Sequence, residues 1–175
     1  ISTVARTKRM GGAGLSNDSH SLDFGGGEEV RFERMGAAGV ITLTRPSALN
    51  ALTHRMVKAI ATALKHWEND GAVAAIVVRA EGRAFCAGGD LMDIYNNRAN
   101  PPFAFFADEY RLNHQIEQYK KPYVSLINGM VMGGGVAVGF RAADRKGDAA
   151  DADAHVLAAF VIDKKQAESL AEPGA

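Results

Sequence analysis

The chain has 175 residues, and 20 lysine and arginine residues balance 20 aspartate and glutamate residues, giving a formal net charge of zero. The hydrophobic fraction of 47% and the charged fraction of 23% are typical of one globular domain and exclude a chain that is disordered throughout. The balanced charge provides no general basic field for nucleic acid, and no apolar run approaches membrane-spanning length, so we expect neither nucleic acid nor a membrane as partner. The single cysteine, Cys86, excludes an internal disulfide and favours a reducing compartment such as the cytoplasm.

Residues 1–28 are rich in glycine and serine, which predicts a flexible leader. The basic residues near its start are not followed by the apolar segment of a secretory signal. A transit peptide is the alternative interpretation of this leader. Because the chain begins with Ile1 rather than methionine, we expect a fragment or an unusual start codon.

Residues 29–139 form the predicted domain, in which strand patterns alternate with helix patterns. Apolar and polar residues alternate on both sides of a glycine turn, which predicts a hairpin. The predicted elements are strands over Val30–Arg34 and Val40–Leu43, a helix capped by Thr53 and running to about Asp70, a strand over Ala72–Val78, a helix over Phe103–Lys120 and a strand over Tyr123–Ile127. Strands that alternate with helices indicate an α/β fold.

Residues 140–175 differ from the rest of the chain and consist largely of alanine, aspartate and other small or polar residues. They do not continue the rhythm of strand, turn and helix. We expect this tail to be poorly ordered or to form a weak amphipathic helix over His155–Leu170.

Two glycine-rich turns, Ala87–Asp90 and Gly133–Gly135, follow apolar strand patterns. Neither is a dinucleotide or P-loop motif, because Val138 stands where a third glycine is needed and no Lys-Ser/Thr pair follows the glycines. A single turn of this kind is explained by close packing of a helix on a strand. Two turns in matching positions favour an oxyanion hole, in which two backbone N–H groups hold the developing charge on an ester or thioester oxygen.

Glu109 is the candidate acid/base residue. Phe105, Leu112 and Ile116 lie at helical spacing from it, so its carboxylate shares the apolar stripe of its helix. Loss of solvation there should raise its pKa and suit it to proton transfer or to contact with a substrate hydroxyl. The alternative, a carboxylate at the rim paired with Arg111 or a lysine, is equally compatible with composition.

Other reactive residues have simpler explanations. Cys86 lacks a basic partner, so we predict a small buried residue rather than a nucleophile. His114 is expected to be a surface histidine, and the remaining histidines show no spacing typical of metal ligands, so no metal site is predicted. Asp90 is predicted to cap the short helix that follows it.

The motifs together resemble the crotonase (enoyl-CoA hydratase/isomerase) superfamily, from about Val30 to Gly139. Within it the chain looks most like the 3-hydroxyisobutyryl-CoA hydrolase family. The residues that carry the resemblance are Arg45-Pro46, Asn50-Ala51-Leu52, Ala84–Asp90, Glu109–Asn113, Lys121–Val124 and Asn128–Val136.

The resemblance implies a spiral core of ββα turns, assembled in trimers or dimers of trimers. It implies an acyl-CoA substrate whose thioester oxygen accepts from the N–H groups of Gly89 and Gly134, with Glu109 in contact with the substrate. Ala87, Gly88, Gly89 and Asp90 would belong to the coenzyme A site, with Ala87 and Gly88 at its adenine end. The reaction would be hydrolysis of a 3-hydroxyacyl-CoA in valine breakdown, without a cofactor beyond the coenzyme A of the substrate, in the mitochondrial matrix if the source is a eukaryote.

The chain also departs from the family pattern. Ala137 stands where hydratases carry a catalytic glutamate, and no segment after Gly139 matches the acid/base glutamate and aspartate of the hydrolases. A truncation or a shift of reading frame near Gly139 would explain this. We therefore expect weak binding of coenzyme A and slow or no hydrolysis, with an enoyl-CoA hydratase/isomerase and a non-catalytic protein that binds coenzyme A or another subunit as the alternatives.

Overall fold

A computed structural model describes residues 19–97, 103–139 and 159–161. The strands are β1 (Ser19–Leu22), β2 (Val30–Met35), β3 (Ala38–Leu43), β4 (Ala75–Ala80), β5 (Ala84–Cys86), β6 (Tyr123–Ile127), β7 (Met130–Val131) and β8 (Ala159–Val161). The helices are α1 (His54–Asn69), α2 (Leu91–Asn96), α3 (Phe103–Glu117) and α4 (Gly134–Gly139).

The main sheet has six strands in the order β1-β2-β3-β4-β6-β8. β1, β2 and β3 pair in antiparallel fashion, whereas β3, β4, β6 and β8 are parallel. The predicted hairpin is therefore confirmed, and the parallel pairing of the strands that helices separate agrees with the predicted α/β fold. A second, smaller sheet pairs β5 with β7, and its strands were too short for the sequence pattern to reveal.

Helix α1 begins and ends close to the predicted residues. The Thr53 hydroxyl accepts a hydrogen bond from the Met56 N–H at 3.2 Å, which satisfies one of the unpaired amides at the start of the helix. Its apolar face is completely buried between the main sheet and α3. The four residues predicted at this face are all fully buried: Met56, Ile60, Leu64 and Trp67.

The predicted leader extends too far, because residues 19–28 contain β1 and a turn. Phe24 packs edge-on against Phe32 at a centroid distance of 5.2 Å and against Trp67 at 5.6 Å. Strand pairing and burial of this aromatic ring offset the flexibility that the neighbouring glycines introduce. The remaining predicted leader, residues 1–18, lies outside the described residues.

The helix predicted over His155–Leu170 is wrong at its centre, because Ala159–Val161 form β8. Ser125 pairs with Ala159 and Ile127 with Val161, so this short segment extends the parallel sheet beyond β6. Phenylalanine and valine have high strand propensity, and the open edge of β6 supplies the pairing partners that a local pattern does not reveal. The other residues of the predicted tail lie outside the described ranges.

Candidate functional site

The two glycine turns lie side by side. β5 and β7 are parallel, and the Met132 N–H donates to the Cys86 carbonyl at 2.9 Å. A β-carbon added to Gly88 would lie 3.0 Å from the Met132 carbonyl oxygen and 3.4 Å from the Gly134 nitrogen. The backbone at Gly88 has φ +93°, which an L-residue with a side chain rarely adopts, so both the conformation and the close approach require glycine here.

The amides of Gly89 and Gly134 are the two predicted donors. The Leu52 N–H donates to the Gly88 carbonyl, and the Leu52 carbonyl accepts from the Asp90 N–H. These two hydrogen bonds form a parallel β-bridge between Leu52 and Gly89 that uses the backbone groups on either side of the Gly89 N–H. Gly134 is the first residue of α4, where the amide has no carbonyl in the preceding turn of helix. Neither N–H donates to another of the described residues. Within the described part of the chain, both N–H groups therefore lack an acceptor.

Glu109 lies beside the second turn. The residue is only 8% exposed, and a β-carbon added to Gly134 would overlap the Oε1 atom of Glu109. Burial raises the pKa of this carboxyl above its ordinary value. Arg111 pairs with Asp108 at 2.7 Å instead, and no described cation lies within 4.0 Å of the Glu109 carboxylate. The structure thus favours the buried carboxyl of the apolar stripe over the paired rim residue.

Cys86 is buried behind the same turns. Its Sγ accepts from the Gly88 N–H at 3.4 Å and lies close to Gly135. Burial raises the pKa of the thiol to about 11, an effect to which the Glu109 carboxylate adds. Cys86 is completely buried, which confirms the predicted small buried residue, and the raised pKa of its thiol argues against a thiolate nucleophile.

Asp90 supports the first turn. One carboxylate oxygen accepts from the N–H groups of Met92 and Asp93 at 3.0 and 3.1 Å, which confirms the predicted cap of α2. The other accepts from Arg45 at 2.8 Å. Burial alone would raise the pKa of Asp90, but these hydrogen bonds hold that pKa below its usual value. Since both oxygens are engaged, we assign Asp90 a supporting role, and contact of Ala87, Gly88 and Asp90 with coenzyme A stays a prediction.

Sequence reasoning missed two neighbours of the first turn. A β-carbon on Gly89 would lie 3.0 Å from the ring of Phe105, so this aromatic residue of α3 covers the turn. Behind the turn runs a segment, residues 45–53, which contains two residues with positive φ, Leu49 at 52° and Asn50 at 55°. The Arg45-Pro46 and Asn50-Ala51-Leu52 motifs marked this segment as distinctive but did not reveal what it contacts.

His114 is a surface residue as predicted, with its side chain 73% exposed. Among the described residues no cluster of three or more histidine, cysteine, aspartate or glutamate side chains is arranged to hold a metal ion. No described helix is both long and apolar enough to cross a membrane.

Comparison with known proteins decides the family. Residues 38–145, more than half of the chain, match the family model described as Enoyl-CoA hydratase/isomerase. The chain belongs to this family.

Two curated relatives of this chain carry the name "3-hydroxyisobutyryl-CoA hydrolase, mitochondrial". The protein of Danio rerio is 43% identical over 83% of this chain and 38% of its own length. That of Homo sapiens is 46% identical over 68% of this chain and 33% of its own length. The chain therefore spans little more than about a third of these relatives.

Solved structures support the same fold. A carnitinyl-CoA dehydratase from Mycobacterium thermoresistibile is 47% identical and has a TM-score of 0.60, over 64% of this chain and 34% of the other. An enoyl-CoA hydratase from Rhodobacter sphaeroides is 45% identical and has a TM-score of 0.61, and the match covers 67% of this chain and 36% of the hydratase. The predicted α/β fold of crotonase type is thereby confirmed.

Proposed function

We propose that this chain supplies the thioester-binding part of a 3-hydroxyisobutyryl-CoA hydrolase of valine breakdown. The observation that carries the proposal is that Gly89 and Gly134, whose N–H groups have no acceptor among the described residues, belong to adjoining turns, with the buried carboxyl of Glu109 beside Gly134. The names and identities of the curated relatives favour the hydrolase within the wider family.

The two amides would receive the thioester oxygen. When a nucleophile attacks the thioester carbon, that oxygen gains negative charge, and each aligned donor stabilises the charge by about 3 kcal/mol relative to its absence. The donors belong to the backbone of packed turns, so little reorganisation is needed as the charge develops. Coenzyme A enters as part of the substrate, and the proposal requires no further cofactor.

Glu109 would contact the substrate beside Gly134. A buried carboxyl with a raised pKa holds its proton to higher pH than an exposed one, so it can donate to a substrate oxygen or accept from a substrate hydroxyl. The 3-hydroxyl of a 3-hydroxyacyl group is a suitable partner. A trimer-based assembly also belongs to the proposal, by resemblance to the family.

A direct test compares an acyl-CoA thioester with the matched S-alkyl thioether, which lacks the carbonyl oxygen, in calorimetric binding to the purified chain. Loss of one or two hydrogen bonds should weaken binding about tenfold. Equal affinities for thioester and thioether would contradict an oxyanion hole at this place.

Turnover separates the proposal from its alternatives. Release of thiol from 3-hydroxyisobutyryl-CoA supports the hydrolase. Hydration of crotonyl-CoA supports the hydratase, an alternative with which the family description and the Rhodobacter sphaeroides structure are also compatible. Ala137, two residues after the triple glycine, lacks the carboxylate that hydration needs. Because weak binding and slow or no hydrolysis are expected of this chain alone, tight binding of the thioester with neither reaction would support a non-catalytic protein that binds coenzyme A.

A further inference from the structure

Residues 45–53, called the clamp below, hold the first glycine turn from behind. The Ala87 N–H donates to the Leu49 carbonyl at 3.0 Å, the Leu52 N–H donates to the Gly88 carbonyl at 2.7 Å, and the Asp90 N–H donates to the Leu52 carbonyl at 2.8 Å. Three backbone hydrogen bonds along four consecutive residues leave the turn little freedom.

Asn50 fixes the clamp itself. It is completely buried, its Oδ1 accepts from the Arg45 N–H at 2.8 Å, and its Nδ2 donates to the Ala84 and Glu81 carbonyls, each at 2.8 Å. These bonds offset the strain of its positive φ of 55°. The clamp is therefore held in place before any ligand arrives.

One row of hydrogen bonds connects Arg45 to the Gly89 amide. The Arg45 Nη1 donates to the Ala51 carbonyl at 2.6 Å. That carbonyl shares its peptide group with the Leu52 N–H, which donates to the Gly88 carbonyl at 2.7 Å. The Gly88 carbonyl in turn shares its peptide group with the Gly89 N–H, and in a trans peptide the C=O and N–H point in opposite directions. The Gly89 N–H therefore points away from the clamp.

Such a row affects strength as well as direction. A guanidinium is charged at all ordinary pH values, and hydrogen bonds in series polarise one another by roughly 10–30% per bond. Arg45 is also paired with Asp90 at 2.8 Å and Glu29 at 3.5 Å, which neutralises its field at longer range. The effect on Gly89 is therefore carried by the hydrogen bonds through the two peptide groups.

We propose that Arg45 is a positioning residue for the thioester, which orients and polarises the Gly89 N–H through the peptide groups of Ala51-Leu52 and Gly88-Gly89. The relevance to the thioester rests on the proposed function. The Gly134 amide, at the start of α4, has no connection to Arg45 through this row and serves as an internal reference.

The amides are observed by NMR in the full chain labelled with carbonyl-13C and 15N glycine, a scheme that selects amides preceded by glycine. Gly88-Gly89 and Gly133-Gly134 both meet this condition. In Arg45→Met we expect the 15N resonance of Gly89 to move to higher field and that of Gly134 to stay. Arg45→Lys, which keeps the charge and one donor, should give a smaller shift and provides a second variant if the methionine variant does not fold.

Glu29→Gln is the matched control, because it removes the longer ion pair while both side-chain hydrogen bonds of Arg45 remain. The glutamine oxygen can still accept from the Thr53 hydroxyl at the end of the clamp, so the Gly89 resonance should stay unchanged. An unchanged Gly89 resonance in the folded Arg45 variants overturns the proposal. Equal shifts at Gly89 and Gly134 also overturn it, since they would report general loosening.

The infrared stretch of a 13C-labelled thioester carbonyl bound to the same variants measures the consequence for the ligand. The proposal expects Arg45→Met to lose part of the shift to lower frequency seen in the unmodified chain, and an identical shift in both overturns it. Failure of the unmodified chain to bind the thioester would contradict the proposed function, while the NMR result would still decide whether the row of hydrogen bonds acts on Gly89.

Discussion

The carboxylate of Glu109 lies against the α-carbon of Gly134, so that even a single methyl group at position 134 would overlap Oε1. The side chain on α3 and the backbone at the start of α4 are thus fitted to each other. This contact brings a buried carboxyl next to an available amide and determines how both can be altered.

Gly134→Ala should force Glu109 out of its position. Overpacking of this kind destabilises folded proteins by about 1–3 kcal/mol, and we expect that loss in urea denaturation. Glu109→Ala removes the overlapping atoms, so Gly134→Ala introduced into that variant should cost less than in the unmodified chain. Equal losses in the two backgrounds would contradict the contact.

Glu109 should also make stability depend on pH. Burial raises its pKa above the ordinary 4.5, so the folded state binds the proton more tightly than the unfolded state. Its contribution is therefore most favourable at low pH and is lost as pH rises from 4.5 through the folded pKa. A tenfold difference in proton affinity between the folded and unfolded states corresponds to about 1.4 kcal/mol of stability.

Glu109→Gln should accordingly be more stable than the unmodified chain at about pH 8 and lose that advantage at about pH 4, in urea denaturation at both values. Glu28→Gln, which alters an exposed carboxylate, is the control and should change little at either pH. A glutamine variant that is less stable at the higher pH would show that the ionised carboxylate is stabilised rather than desolvated.

Asn50→Ala should be strongly destabilising, by about 3 kcal/mol or more, because two carbonyls and one amide lose their partners in the interior. Asn50→Gly loses the same bonds but tolerates the positive φ, so it should be about 1 kcal/mol less harmful than alanine. Chemical denaturation of both variants measures the difference. An alanine variant as stable as the glycine variant would indicate that the backbone at this position relaxes.

Lys121 should stabilise the end of α1. Its Nζ donates to the Trp67 carbonyl and, at 2.7 Å, to the Asp70 carbonyl, and a cation at this end also interacts favourably with the helix dipole. We expect Lys121→Met to lower the free energy of unfolding by about 1–2 kcal/mol. The adjacent, exposed Lys120 offers the control Lys120→Met, and equal effects of the two substitutions would contradict the cap.

The sequence predicted those parts of the fold that have a long local pattern. The apolar stripe of α1, the Thr53 cap and the strand Tyr123–Ile127 depend on neighbouring residues and agree with the structure. The short strands β5 and β7 and the strand β8 depend on partners distant in sequence, and a run of two or three residues carries no periodicity.

The candidate site divides in the same way. The glycines and Glu109 stand out in the sequence because a triple glycine and a carboxyl on an apolar stripe are unusual. The contact of Arg45 with Asp90, 45 residues further along, and that of Phe105 with Gly89 exist only once the chain has folded.

Thr53 ends the clamp and also caps α1, and its hydroxyl donates to Glu29 at 2.8 Å at the start of the hairpin. One short segment therefore joins the hairpin, the first long helix and the turn that presents the Gly89 amide. In hydrogen exchange, amides of α1 and of the first glycine turn should consequently open together as one cooperative unit. The geometry of the donor is then as durable as the core of the domain, rather than as transient as an isolated surface loop.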